Sequence, residues 1–353
     1  MMYKHFRPGK TWYDTEGKPI QAHAGAILFA EGKFWWYGEN KEGITGRAQG
    51  ERCKYQHHGI RCYSSTDLYN WKDEGTIVPE SDDESNPFHP TIIAERPHIL
   101  YNEKTKKYVL WAKSARNGYK NGSFAVCVGD TLHALRYIGD ANSTPHCVGD
   151  FDLFIDGGKA YAVFENPHSE MILRELNEDY TDFAETWTSH LPMEGPPMTR
   201  EAPAYFVRNG RKFLITSGTT GYFPNPTIGY DVTDLHGEWK DLGLTCRNDV
   251  KRNSFHAQFS SVFKHPTIPD LYIALGDRWL TDLPEDLPDM EQVFHDMFFP
   301  TQHPLLARGE MWTLTDENTS MAAYVWLPIM FDENGLPYIV WRRTWTVEEF
   351  EKK

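Results

Sequence analysis

The stretch that decides the fold is AILFAEGKFWWYGE, residues 26–39: an apolar run, a charged Glu-Gly-Lys turn, then a run rich in aromatics. The same form returns as HILYNEKTKKYVLWAK from His98, LFIDGGKAYAVFEN from Leu153, YFVRNGRKFLITSG from Tyr205 and SVFKHPTIPDLYIALGD from Ser261. Each reads as a β-hairpin, because apolar runs of strand length flank a short turn of Gly, Asn or charged residues. Intervals of roughly 50 to 70 residues between copies suit a repeat of four strands. Each hairpin is followed by a second. SSTDLYNWKDEG from Ser64 and DVTDLHGEWKDLG from Asp231 are near copies, sharing Thr-Asp-Leu, Trp-Lys-Asp and a glycine. FAVCVGDTLHALRYIG from Phe124 and MILRELNEDYTDF from Met171 are weaker, and YVWLPIMFDENGLPYIVW from Tyr324 is the fifth. Five first and five second hairpins predict an all-β, five-bladed β-propeller of four-stranded blades around a central funnel.

The 353 residues run from blade to blade with no linker or low-complexity break, so residues 1–353 read as one domain. One region is irregular. Between the two hairpins of the fifth blade, residues 283–312 carry prolines and no strand alternation, and read as a long loop with a helical turn at MEQVFHDMF, at the funnel rim or packed under it. A net charge of −14 with no Lys/Arg cluster argues against nucleic acid or an anionic membrane as partner. The chain as written has no apolar run long enough to span a membrane and no N-terminal leader. It is expected to be cytoplasmic as written, or secreted or periplasmic if the doubled Met marks a start placed after signal removal. Cys53, Cys62, Cys127, Cys147 and Cys246 are odd in number and form no CxxC pair, so they read as small buried hydrophobes rather than a disulfide or zinc framework.

In a propeller the first strand of each blade is innermost, so the residues at the starts of the five first strands are expected to converge: His23, Glu95, Asp150 with Asp152, Glu201 and Gln258. Glu95 in AERPHILYN and Glu201 in TREAPAYFV each have an adjacent Arg and a proline two residues on. Carboxylates with pKa values pushed apart are what glycosidic cleavage needs, one to protonate the leaving oxygen and one to stabilise charge or activate water. The plainer alternative is a structural Arg–Glu salt bridge at each blade edge. Asp150 and Asp152 alternate with Phe151 and Leu153 and so share a strand face, although capping a turn is an equal reading for one of them. Aromatic residues make up 14% of the chain, and most must be blade core. Trp36-Tyr37-Gly38-Glu39, Tyr222 and Trp279 lie at strand ends beside polar residues, where they serve either as sugar-stacking platforms or as core. His23 and His256 either hydrogen-bond or ligate a central cation. With no acidic ligand beside them they make a poor site for a hard ion, and no cofactor is expected.

In order, AHAGAILFAEGKFWWYGENK, ERPHILYN, GDFDLFIDGGKAYAVF, REAPAYF, TGYFPNP, AQFSS, LGDRW and YVWLPIMFD resemble glycoside hydrolase family 43, within its branch of exo-β-1,3-galactanases, from about Gln21 to Trp345. The resemblance implies an inverting glycosidase on an oligosaccharide or polysaccharide, releasing galactose from β-1,3-linked galactan such as the arabinogalactan backbone. It makes Glu201 the general acid, Gln258 the group that positions water where most of the family carry an aspartate base, Glu95 a carboxylate near the reacting side of the sugar, and Asp150 the aspartate that modulates the acid. Glu39, Tyr222, Asn225, Asp277 and Trp279 fall on substrate-pocket motifs. The chain departs from the branch in AHAGA, where a more glycine-rich strand is usual, and in GDFDLF, which lacks an Arg before its Asp. Other family 43 sugars (arabinofuranose, xylose, galactofuranose) and glycan binding without cleavage stand as alternatives.

Overall fold

The computed structural model describes residues 2–43, 47–48, 51–52, 54–115, 122–193, 195, 197–307 and 309–351, with backbone alone at 47–48 and 51–52. Cys53 lies outside the described residues. Blade 1 pairs His23–Ala30, Lys33–Glu39, Ile60–Ser65 and Lys72–Val78 in that order; blade 2 is Ile93–Asn102, Lys107–Ala115, Gly122–Gly129 and Arg136–Ala141. Blade 3 is Phe151–Asp156, Lys159–Asn166, Glu170–Leu176 and Phe183–His190; blade 4 is Arg200–Arg208, Arg211–Gly218, Ile228–Asp231 and Lys240–Leu244. Blade 5 joins Gln258–Lys264, Tyr272–Arg278, Ala323–Phe331 and Pro337–Val340. The protein is an all-β five-bladed β-propeller. Its chain divides into two compact units, one containing blades 1–3 and the other containing blades 4 and 5 with the segment Tyr3–Trp12.

Blade 5 departs from the expected four strands. Cys246–Arg247 adds a fifth, running parallel to Pro337–Val340 with Cys246 opposite Ile339. The chain leaving blade 4 crosses the outer edge of the next sheet, and its pairing satisfies backbone groups that an open edge would leave bare.

The two near-identical second hairpins fold alike for a local reason. Asp67 accepts from the backbone N–H groups of Tyr69 and Asn70, and Asp234 from those of His236 and Gly237. The buried Trp71 and Trp239 then donate their indole N–H to the carbonyls of Leu68 and Leu235. Asp73 and Asp241 accept from Gly75 and Gly243 in the following turn. The shared Asp, Leu, Trp, Asp and Gly each hold one place in this turn chemistry.

Large aromatics fill the sheets. In the first unit Trp111 is fully buried, packs against Phe124 and Phe183 at centroid distances of 5.4 and 5.0 Å, and donates to the Tyr180 carbonyl at 2.7 Å. In the second, Phe6 stacks on Trp345 at 4.2 Å and Trp12 meets Trp326 edge-on at 4.9 Å, while Phe6 and Trp345 share a backbone bridge. Between the hairpins of blade 5, the expected helical turn is a nine-residue α-helix, Met290–Phe298. It is capped by Asp289 and buries Met290, Val293 and Phe294 on one face. Phe294 packs 6.1 Å from Phe223.

The first strands of blades 1, 2 and 4 open with the same kink. Ala24, Arg96 and Ala202 have φ of 45°, 53° and 47°, and the register shifts between His23 and Ala26, Glu95 and His98, and Glu201 and Ala204. The residue after each is Gly25, Pro97 or Pro203. Such bulges re-aim the side chains beside them. At Gly25 the approach is so close that an added Cβ would fall 1.8 Å from the carbonyl oxygen of Tyr37. Gly25→Ala is therefore expected to lower stability by about 1 to 3 kcal/mol, read as a lower midpoint in chemical denaturation. An unchanged midpoint would show that the strand yields there at no cost.

Candidate active site

In the unit holding blades 1–3, the kink puts Arg96 where its Nε lies 2.7 Å from Asp150 Oδ1. Lys113, opposite Glu95 on the neighbouring strand, reaches Asp150 Oδ1 and Glu95 Oε2, both at 3.0 Å. Glu39 lies opposite His23, binds Lys41 at 3.0 Å and accepts the Arg96 backbone N–H at 3.0 Å. His23 donates Nε2–H to Gln21 Oε1 at 3.1 Å. Asp152 accepts from His98 Nδ1 at 3.2 Å. Nearly all these groups are buried, so their charge states depend on one another. Burial raises the Asp150 carboxyl, but Arg96 and Lys113 outweigh it and hold it at about 2. Glu95 is likewise pulled below the ordinary carboxylate range by Lys113 and Lys41 against the effect of burial. Glu39 goes the other way, raised by burial and by the Glu95 charge in spite of Lys41. Burial and Arg96 push His98 down to about 3, so it meets Asp152 as a neutral donor.

A fifth carboxyl completes this cluster. Glu165 lies across the hairpin from Asp150: its N–H donates to the Asp150 carbonyl at 2.9 Å, and its own carbonyl accepts from Gly149 at 2.8 Å. Its Oε1 takes the His168 N–H at 3.0 Å. Burial first, and the charge of Asp150 second, push its carboxyl up to about 7.

In the unit holding blades 4 and 5, Gln258 opens its strand and lies opposite Asp277. Its Nε2 donates to Glu201 Oε1 and to Ser217 Oγ, both at 2.9 Å, and its Oε1 accepts the Trp279 indole N–H at 3.1 Å. An indole nitrogen only donates, so the atom facing Trp279 has to be the amide oxygen and the orientation of the amide is settled. Ser217 is the residue across the hairpin from Glu201. Tyr222 leans on Trp279 with ring centroids 5.3 Å apart. Asn225 is engaged in closing its own loop, exchanging hydrogen bonds with Gly218 at both its oxygen and its nitrogen and donating to Thr220 Oγ1. The imidazole of His256, two residues before Gln258, is held down to about 4 by burial and by Arg278.

Several expectations change in detail. Each Arg beside a glutamate has partners further along the chain. Arg96 binds Asp150. Arg200 turns to Thr216 Oγ1 and to the carbonyls of Thr216 and Pro226, with Glu291 at 3.9 Å. Asp150 and Asp152 both bind side chains of blade 2. Trp36 and Tyr37 are core: Trp36 packs edge-on against Trp71 at 5.3 Å, and the Tyr37 hydroxyl accepts the Ile99 N–H at 2.9 Å. Cys62, Cys127 and Cys246 are buried, whereas Cys147 is only partly so. Lys41, Arg96, Lys113, Ser217 and Glu165 were not singled out from the sequence. A signal for one of them was present: counting back from the hairpin turn sets Glu165 opposite Asp150. The same count misses Lys113 and Ser217 by one residue, because bulges shift the register before Glu95 and Glu201.

The unit of blades 1–3 holds carboxylates with separated proton affinities, and the unit of blades 4 and 5 holds a glutamate bound by an oriented amide; each is a kind of group that acid-assisted cleavage of a sugar bond can use. Residues 51–242, more than half of the chain, match the profile of the Glycosyl hydrolases family 43. The chain belongs to this family and is a glycoside hydrolase. Two GH43 β-1,3-galactosidase structures are similar to it. One superimposes with a TM-score of 0.78 at 25% identity, over 98% of this chain and 64% of its own. The other, solved with galactodeoxynojirimycin, gives 0.78 at 28% over 97% of this chain and 100% of its own. The chain thus spans just under two thirds of the first and all of the second. An exo-β-1,3-galactanase from Phanerochaete chrysosporium, solved with β-1,3-galactotriose, shares the fold with a TM-score of 0.76 at 23% identity, over 98% and 68% of the two chains. No curated protein sequence matches the chain.

Glu165 and Asp150 act in opposite senses on stability. Asp150, held low, contributes stability that is complete above the ordinary carboxylate range and is lost as pH falls towards 2. Glu165, held high, keeps its proton when folded but releases it near 4.5 when unfolded, so its effect erodes stability as pH rises from there to about 7. Glu165→Gln removes that loss. Relative to wild type, the variant is expected to gain about 1 to 3 kcal/mol between pH 5 and pH 8, measured by urea denaturation at each pH. A difference that does not vary with pH would mean that Glu165 is not protonated in the folded protein.

Proposed function

We propose that this glycosidase is an inverting, exo-acting enzyme that releases galactose from β-1,3-linked galactan of the arabinogalactan-backbone type. The observation that carries the proposal is the Glu201–Gln258–Trp279 arrangement. A glutamate hydrogen-bonds to an amide whose orientation is dictated by a donor-only indole, while the first blade opens with His23-Ala24-Gly25-Ala26 and offers no carboxylate there. The two β-1,3-galactosidase structures at 25 and 28% identity support the choice of sugar and linkage.

In this reading Glu201 protonates the leaving glycosidic oxygen. Gln258, too weak to take a proton as an ordinary base, uses its carbonyl oxygen to accept from the attacking water and aim it at the anomeric carbon. Trp279 fixes that oxygen, and with Tyr222 forms an aromatic surface suited to a sugar face. Asp277, opposite Gln258, and Glu39, Glu95 and Asp152 provide acceptors for sugar hydroxyls. Asp150 supplies a charge that stays negative throughout the working pH range.

The test is a panel of β-1,3-galacto-oligosaccharides and chromogenic galactosides, arabinofuranosides, xylosides and galactofuranosides. Stepwise loss of galactose is expected, with the α-anomer appearing first in an NMR time course because a water attacks opposite the β-linked leaving group. A β-anomer formed first rules out inversion, and turnover confined to arabinofuranosides reassigns the sugar. Glu201→Gln keeps shape but removes the transferable proton. Activity on oligosaccharides is expected to fall by about 10² to 10⁴, and less on aryl glycosides whose phenol leaves unaided. Gln258→Ala is expected to lose hydrolysis yet to regain turnover with azide. The anomeric C–O bond then breaks as C–N forms, Glu201 protonates the departing oxygen, and the product is an α-galactosyl azide. Near-normal hydrolysis by Gln258→Ala would take Gln258 out of the mechanism.

A further inference from the structure

The chain reaches Gln258 through a backbone conformation that L-residues rarely adopt. Ser254, Phe255 and His256 have φ of 53°, 61° and 62° in succession, preceded by Arg252 at 51°. Single left-handed residues are common in turns, but three in a row require external ties. One end is tied by Asp249, whose Oδ2 accepts the N–H groups of Asn253 at 2.9 Å and Ser254 at 2.6 Å, and by Ser254 Oγ, which donates to the Asn225 carbonyl at 2.7 Å. At the other end the His256 N–H is given to Asn253 Oδ1 at 3.1 Å, and the carbonyls are held by Arg278. Arg278 donates Nε–H to the His256 carbonyl at 3.1 Å and Nη2–H to the Phe255 carbonyl at 2.9 Å.

The guanidinium is itself confined. A Cβ added to Gly9 would fall 2.7 Å from Arg278 Nη1, so the Gly9 backbone lies directly against it, and the Trp341 ring centroid is 5.8 Å from Cζ. Trp341 also packs against Phe255 at 5.9 Å. Arg278 ends the strand next to Gln258, and the following residue, Trp279, holds the Gln258 oxygen. One residue therefore binds the turn that delivers Gln258 and directly precedes the indole that orients it.

We propose that Arg278 is a positioning residue for Gln258: its two-pronged donation to Phe255 and His256 sets where the amide oxygen stands. The proposal rests on the role given to Gln258 above. Its chemistry demands a planar fork with two donors at fixed spacing, which an ammonium group cannot reproduce.

Arg278→Lys keeps the charge and loses the fork. With galacto-oligosaccharide substrate, kcat is expected to fall about 10²-fold while KM changes little, the size of effect that a misplacement of about 1 Å produces. In Arg278→Ala, added guanidinium is expected to restore part of kcat. In the Gln258→Ala background, Arg278→Lys is expected to cause no further loss, since residues acting through one group are not additive. A wild-type kcat in Arg278→Lys, or a second full loss in the double variant, overturns the proposal while leaving the galactanase reading intact. Failure of wild type on galactan overturns that reading instead, and a measurement independent of turnover then decides about Arg278. The ¹⁵N-indole NMR resonance of Trp279, assigned by its disappearance in Trp279→Phe, is expected to move in Arg278→Lys. An unmoved resonance shows that Arg278 does not set the Gln258–Trp279 contact.

Discussion

In every blade, a polar residue at or near the start of the first strand faces a polar residue on or beside the second: His23 and Glu39, Glu95 and Lys113, Asp150 and Glu165, Glu201 and Ser217, Gln258 and Asp277. Buried polar groups have to find partners, and hairpin register supplies one within reach on the same sheet face. The placement of these polar residues is thus written into strand pairing. A slip of one residue would send each polar pair to the opposite face and expose the core residues that follow it. Bulges within two residues of these pairs in blades 1, 2, 4 and 5 separate the two demands, letting the strand start with polar groups and then resume the alternation the core requires.

Charge balance in the unit of blades 1–3 follows from that pairing. Lys41, Arg96 and Lys113 stand among five carboxyls: Glu39, Glu95, Asp150, Asp152 and Glu165. Three cations cannot neutralise five buried anions, and isolated buried charge is costly. The structure resolves the excess unevenly. Asp150 takes two cations and stays ionised, Asp152 takes a neutral imidazole donor, and Glu165, left with backbone N–H and a charged neighbour, retains its proton until about pH 7. Glu39 and Glu95 divide in the same way, one raised and one lowered. The separation of proton affinities comes from unequal shares of the available cations.

The repeat was legible because turn chemistry is local. Trp71 and Trp239 recur with the Asp and Gly around them, so two blades announced themselves in the residues alone, and the helix at MEQVFHDMF showed its apolar face in the same way. Strand starts were legible for the same reason. What the neighbouring residues did not reveal was direction. Arg96 and Arg200 stand beside glutamates in sequence, yet bind elsewhere, since alternation and a positive φ decide where a side chain points. Trp36 and Trp279 are both aromatic residues near strand ends, but one meets Trp71 and the other meets an amide, a difference set by long-range packing. Asp150 gained its partners from a different blade, at sequence distances no local pattern encodes.

The choice of an amide at position 258 follows from its three partners. Glu201 presents a carboxylate oxygen, Ser217 a hydroxyl and Trp279 a donor-only N–H, so the residue between them has to donate twice and accept once. Glutamine does this in one orientation. An ionised glutamate would satisfy Trp279 but bring a second negative oxygen to within about 3 Å of Glu201, where like charges oblige one of the pair to take up a proton. With glutamine there, the N–H given to Glu201 favours the charge that remains after a proton has left, which is the direction a general acid has to move. In the role proposed for it, the amide therefore serves both events at once: it holds the oxygen that aims water and stabilises the carboxylate that proton donation creates. The absence of a carboxylate from His23-Ala24-Gly25-Ala26, where the first blade opens, is then matched by an arrangement in the last blade that a carboxylate could not replace.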